Sequence, residues 1–223
     1  MRKFLMAGIG AALTAGLSYG ALAATADGGT TFTIKITNVS KNDTLKVPGA
    51  AAVKAPIAPG VFLVDPAVSA LEPGKAASTE LQALAEDGNF EPLQKALVAK
   101  FGAHAGMFAP GLEFTVIAKP GDRLSFATMF VQSNDKFYAP ASGSLALFDA
   151  NGKPISGDLT ASVRLYDAGT EVDQQPGAGA DQAPRQKAAN QGADQNGVVA
   201  EANDGFTYPA VAEVIKLEIR VAQ

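Results

Sequence analysis

From residue 31 to residue 39 the chain alternates, with Phe32, Ile34 and Ile36 on one side and Thr33, Lys35 and Thr37 on the other. That period of two is the signature of a half-buried strand. The closing segment repeats it, since Ile215, Leu217, Ile219 and Val221 alternate with Lys216, Glu218 and Arg220, so the first and last strands are both predicted to lie within the fold. Residues 112–118, 124–131, 144–148 and 161–166 read as further strands, with turn chemistry at residues 120–122 and a hairpin signal at Asn151-Gly152. Phe114, Phe126, Phe130 and Phe148 fall at strand spacing and are assigned to the core, whereas Phe62, Phe137, Tyr138, Tyr166 and Tyr208 lie nearer loops.

One stretch switches to helical spacing. Thr79 with Gln82 three residues on forms a capping box, Leu81, Leu84 and Ala85 share a face, and Gly88 supplies a left-handed stop. A second helix opens at Pro92 and runs through Leu93, Leu97 and Val98 to a stop near Gly102. Such inserted helices are expected to cover an open end or edge. Residues 172–205 lose nearly all large apolar side chains and fill with Gln, Ala, Gly, Asp and Asn, a loop long enough to be either functional or disordered.

At 223 residues and 47% hydrophobic, without a break in composition, the chain suits one domain with an ample core. Arg2 and Lys3 precede an apolar stretch from Phe4 to about Leu17, and Ala21-Leu22-Ala23 reads as a small-x-small cleavage site, so residues 1–23 are expected to be a secretory signal peptide. The apolar stretch is interrupted by Gly8, Gly10 and Gly16 and is short of the about 20 residues a membrane span needs. Loss of residues 1–23, which carry Arg2 and Lys3 and no acid, takes the formal charge from −4 to −6. An acidic, secreted or periplasmic product disfavours nucleic acid and anionic membrane as partners. With no cysteine, stability must come from packing or a bound ion.

The chemistry of the chain is carboxylate chemistry. Asp135 closes one strand-like run, and Asp167, Glu171 and Asp173 crowd the end of another. Acids gathered at one end of a sheet repel one another unless a cation or proton enters, and hard oxygen donors favour calcium. Read from the residues alone, they serve equally well as turn caps. Asp173 is read as a solvated loop residue, or as an outer ligand through water. His104 is the one histidine and no cysteine exists, so a zinc site built on several such ligands is excluded. No G-x-S-x-G elbow and no glycine-rich phosphate loop is present. Asp149 to Gly152 opens like a calcium-binding loop, but its twelfth position is Thr160 where a bidentate Glu is required. Glu86 and Asp87, adjacent at a helix end, do not face each other across a substrate as a glycosidic acid pair would.

The runs RLSFATMFVQSND, LFDANG and YDAGTEVDQQPG, with PGVFLV upstream and LQALAEDGN between, together resemble the spondin N-terminal domain, known from the matrix protein F-spondin and from secreted bacterial proteins. The resemblance covers roughly residues 30–222. It implies an antiparallel, C2-like β-sandwich with one or two short helices inserted, spanning residues 24–223, and calcium held by Asp135, Asp167 and Glu171. Glu171 stands where the matrix protein has Asp, lengthening one ligand arm. Lys136 stands where a tryptophan commonly follows the first aspartate, and a cationic side chain there weighs against tight metal binding. The family wording of residues 173–186 marks them as ordered, while residues 187–201 are expected to be mobile. The reading that follows is an exported, non-catalytic calcium-binding module for adhesion to an extracellular or envelope protein or polysaccharide. Two other readings stand beside it: a glycan-active enzyme using Glu171 or Glu86 as acid or base, and a periplasmic small-molecule binder without metal.

Overall fold

The computed structural model describes residues 28–222; the expected signal segment lies outside them. Two antiparallel sheets and a pair of helices make up the fold. β1 (Thr30–Asn38) lies between β4 (Glu113–Ala118) and β11 (Ile215–Val221), with the short β8 (Gly157–Asp158) beyond β11. The first and last strands pair directly, Phe32 opposite Val221 through to Asn38 opposite Ile215. The alternation read from the sequence holds: Phe32, Ile34, Ile36, Ile215, Leu217 and Ile219 are fully buried. Val221, at the end of its strand, is exposed.

The larger sheet runs in the order β10 (Ala200–Glu201), β9 (Val163–Asp167), β6 (Lys136–Pro140), β5 (Arg123–Met129), β2 (Gly60–Asp65), β3 (Ala105–Phe108), with β7 (Leu145–Ala146) also paired to β5. Its central strands do not alternate, because both faces are covered. Phe62, Phe126, Phe130 and Tyr138 point to the core shared with β1 and β11. Val61, Leu63, Ala127, Phe137, Ala139 and Tyr166 form a second core with Leu81, Leu84, Leu93 and Leu97 from the helices.

Those helices are α1 (Thr79–Asp87) and α2 (Glu91–Phe101). They pack against one face of the larger sheet, across β6, β5 and β2 and onto its edge strand β3. The cap of α1 is Ser78, whose hydroxyl accepts from the Leu81 N–H at 3.2 Å, one residue earlier than the sequence suggests. Gly88 ends it at φ 68°, as expected. Four of the five aromatic residues placed near loops prove to be core, Phe137 and Tyr138 fully buried and Phe62 and Tyr166 nearly so, while Tyr208 is partly buried against it. Among the described residues, no helix is long and apolar enough to cross a membrane.

Candidate metal centre

The turn between β5 and β6 closes on itself before it offers any charge outward. Phe130 N–H donates to the Lys136 carbonyl at 2.8 Å, and Ser133 bridges the turn by donating to the Phe130 carbonyl at 2.6 Å while accepting from Lys136 N–H at 3.0 Å. Asn134, Asp135 and Lys136 are thereby fixed at the start of β6, all of them buried. On the neighbouring strand Asp167 stands opposite Lys136 and ends β9 in an Asx turn, its Oδ1 accepting from Gly169 N–H at 2.6 Å.

Asp135 is the hub of the loop that follows. Its Oδ2 accepts the Thr170 N–H at 2.8 Å, the Glu171 N–H at 3.1 Å and the Thr170 hydroxyl at 3.2 Å. Asn134 Oδ1 accepts from Gln174 N–H at 2.9 Å and from Gln182 Nε2 at 3.2 Å. The loop is pinned again at α1, where Asp87 accepts from Gln186 Nε2 at 2.8 Å and Asn190 N–H at 3.2 Å.

Residues 187–201, expected to be mobile, carry regular contacts instead. Val172 N–H donates to Ala193 O at 2.7 Å, Gln195 N–H to Thr170 O at 3.0 Å, and Val199 N–H to Lys75 O at 2.8 Å. Val199 itself is buried in the core beneath the helices. It is a lone apolar anchor in a polar stretch, too weak a signal to read by periodicity.

The carboxylates of Asp135, Asp167 and Asp173 converge, with one oxygen from each lying within 4.8 Å of the others, a group able to hold a divalent cation. Two of the three donors expected from the sequence are thus brought together, and Asp173 takes the third place. Glu171 is buried but is not one of the converging group, and its Oε1 finds no hydrogen-bond donor. Burial first, then the charges of Glu86 and Asp135, push its carboxyl up to about 8. Glu86 is also buried, donated to by Gln82 Nε2 at 2.9 Å. Asp204, which the sequence reading did not consider, joins the centre, its Oδ2 accepting from the Tyr208 hydroxyl at 2.5 Å.

No protein-family model matches the chain, and no curated protein matches it. What the centre can do must come from its own geometry.

That geometry is dominated by Lys136. Its Nζ is 2.9 Å from Asp167 Oδ2, 3.3 Å from Asp204 Oδ2 and 3.4 Å from Asp135 Oδ1, and it donates to Asp173 Oδ1. Burial alone would lower its pKa, but Asp135 and Asp167 more than reverse that, so the ammonium stays charged. One ammonium does not balance four carboxylates. Burial, and behind it the charges of Asp167 and Asp135, push Asp173 up to about 7 against the pull of Lys136, and burial raises Asp135 as well. A donor set made wholly of carboxylate oxygens suits a hard divalent ion such as calcium; the middle of it is taken by the ammonium. His104 ends a 3-10 turn and is exposed, apart from this cluster.

Proposed function

We propose that this chain is an exported, non-catalytic binding module, a C2-like β-sandwich of the spondin N-terminal kind, whose acidic rim binds calcium. Asp135, Asp167 and Asp173 supply the carboxylate oxygens, and backbone carbonyls and water complete a six- to eight-oxygen shell. The observation that carries this reading is the convergence of three nearly buried carboxylates, one at the end of β9, one in the turn just before β6 and one on the long loop. A cation there cancels their repulsion and ties the loop to the sheet. The loop then presents a fixed polar surface to an extracellular or envelope protein or polysaccharide. Affinity in the range of extracellular calcium modules, roughly 0.1–1 mM, suffices for that role.

The test is thermal. An ion bound only to the folded protein raises the unfolding midpoint by mass action. The midpoint is expected to rise as calcium is added through the millimolar range and to fall back with excess chelator. Superimposable melting curves in calcium and in chelator would sink the metal reading.

A further inference from the structure

We infer that Lys136 is a tethered cation that competes with calcium for the same carboxylates, so that an ion enters this centre only by displacing the ammonium. The inference rests on the calcium reading above and concerns the chain's own occupant of that position. Four carboxylates from separate segments lie around a side chain that has no exposed surface. Asp167 Oδ2, Asp173 Oδ1 and Asp135 Oδ1 are turned to Nζ, and Asp135, Asp167 and Asp173 are the residues whose carboxylates group as metal donors. An ammonium and a divalent ion cannot share the middle of one such group, because both the contacts and the like charges exclude it.

The exchange is asymmetric in a useful way. Asp167 ends β9 and Asp135 lies in the turn immediately before β6, each held by backbone donors, whereas Asp173 and Asp204 belong to the long connection between β9 and β11. A departing ammonium leaves Asp204 Oδ2 with the Tyr208 hydroxyl while Asp173 passes to the ion, so the two parts of the connection respond differently to the identity of the cation. With the ammonium in place the loop is tied down without metal. With calcium in place one more unit of the surplus negative charge is neutralised, and Lys136 is driven outward on its flexible stem.

Lys136→Met removes the charge while keeping the apolar stem. Calcium titrations of the wild type and of Lys136→Met, followed by calorimetry and by melting, are expected to show half-saturation at about tenfold lower calcium, or less still, in the variant. A variant that responds while the wild type does not also supports the competition, and then refutes calcium binding by the wild type. Equal response of both proteins overturns the competition, because the ion then adds beside the ammonium, and leaves the calcium reading standing. Absence of response in both overturns both.

Should Lys136→Met fold only when calcium is present, the competition is supported. Should it fold in neither condition, the wild type decides through the 15N resonance of the Lys136 ammonium, which burial shields from solvent exchange. Replacement of that resonance by an exposed-lysine signal as calcium saturates supports displacement. An unchanged resonance, at saturation or with no binding at all, overturns it.

Discussion

Asp135→Ala leaves the Lys136 ammonium in place while removing both a nearby countercharge and the acceptor of three loop donors. The ammonium keeps the carboxylates of Asp167, Asp173 and Asp204, so the loss is set by the loop donors left without an acceptor, about 1–3 kcal/mol for a buried one. Denaturant unfolding should register a loss of that size. In the double variant Asp135→Ala, Lys136→Met the three remaining carboxylates lose their shared cation, so the loss should exceed that of Asp135→Ala but fall short of the two single losses added; a double loss equal to that sum would show that the pair is not coupled. The fourth carboxylate contributes differently. Asp204 already accepts from Tyr208, so Asp204→Asn, which keeps that acceptor, should cost less than the Asp135 substitution. At this scale the convergence of Asp135 and Asp167 was legible, because each ends a strand-like run and the two runs can pair. The sequence did not indicate which acid of the loop turns inward. Glu171 and Asp173 differ by two positions, and which of them faces Lys136 depends on the path of a loop held by Asn134 and Asp135 backbone acceptors. Nor did a lysine beside an aspartate announce itself as the centre of four carboxylates, since a neighbouring cation in sequence is usually a solvated one.

The turn from β9 into the loop turns on Gly169. Its φ of 69° is left-handed, and a Cβ there would stand 2.6 Å from Val198 N. Gly169→Ala meets both the left-handed penalty of roughly 1–2 kcal/mol and backbone that cannot yield. The loop, rather than the sheets, should register it: hydrogen exchange is expected to accelerate at residues 169–199, with β1, β5 and β11 unchanged. Acceleration spread evenly over all strands would mean that the loop is not a separately stabilised unit. Element by element, legibility followed the number of faces an element buries. β1 and β11 bury one face, so polar and apolar residues alternate and the period of two is plain. α1 carries its cap, its stripe and its glycine stop within a dozen residues. β2, β5 and β6 are covered on both faces, so their residues form unbroken apolar runs whose aromatic members look no different from those of a packed loop. Residues 144–148 have the pattern of one strand, yet only Leu145–Ala146 pair with β5.

For the whole molecule, the layer arrangement sets where ionisable groups can afford to be charged. The helices lie on the outer face of the larger sheet, and the long loop folds over the end of α1, so Glu86 is shut in with Asp87 on its own helix and with Asp135 and Glu171 from the loop side. Burial raises its pKa above the ordinary 4.5, opposed by hydrogen bonds from Thr170 and Gln82 and reinforced by Asp87 and Asp135. The linkage sign follows from proton uptake. An acid whose folded pKa is raised holds its proton in the folded state after the unfolded chain has lost it, so the folded state binds more protons between the two values. The associated stability is fully present below about pH 4.5 and is lost as pH rises through the folded value, at up to about 1.4 kcal/mol per pH unit. Glu86→Gln removes this slope while keeping an acceptor for Gln82. Urea unfolding of the variant and the wild type should therefore coincide near pH 4 and separate toward pH 8, with the variant the more stable. A variant less stable at pH 8 would mean that ionised Glu86 is favourably placed, and that the helix layer tolerates charge where its packing suggests it does not. The same inequality runs through the carboxylate centre one strand away. There the chain supplies its own cation, yet one ammonium among four carboxylates still leaves Asp173 raised to about 7, so the acids that tie the loop down around Lys136 also lose part of their contribution as pH rises toward that value, as Glu86 does.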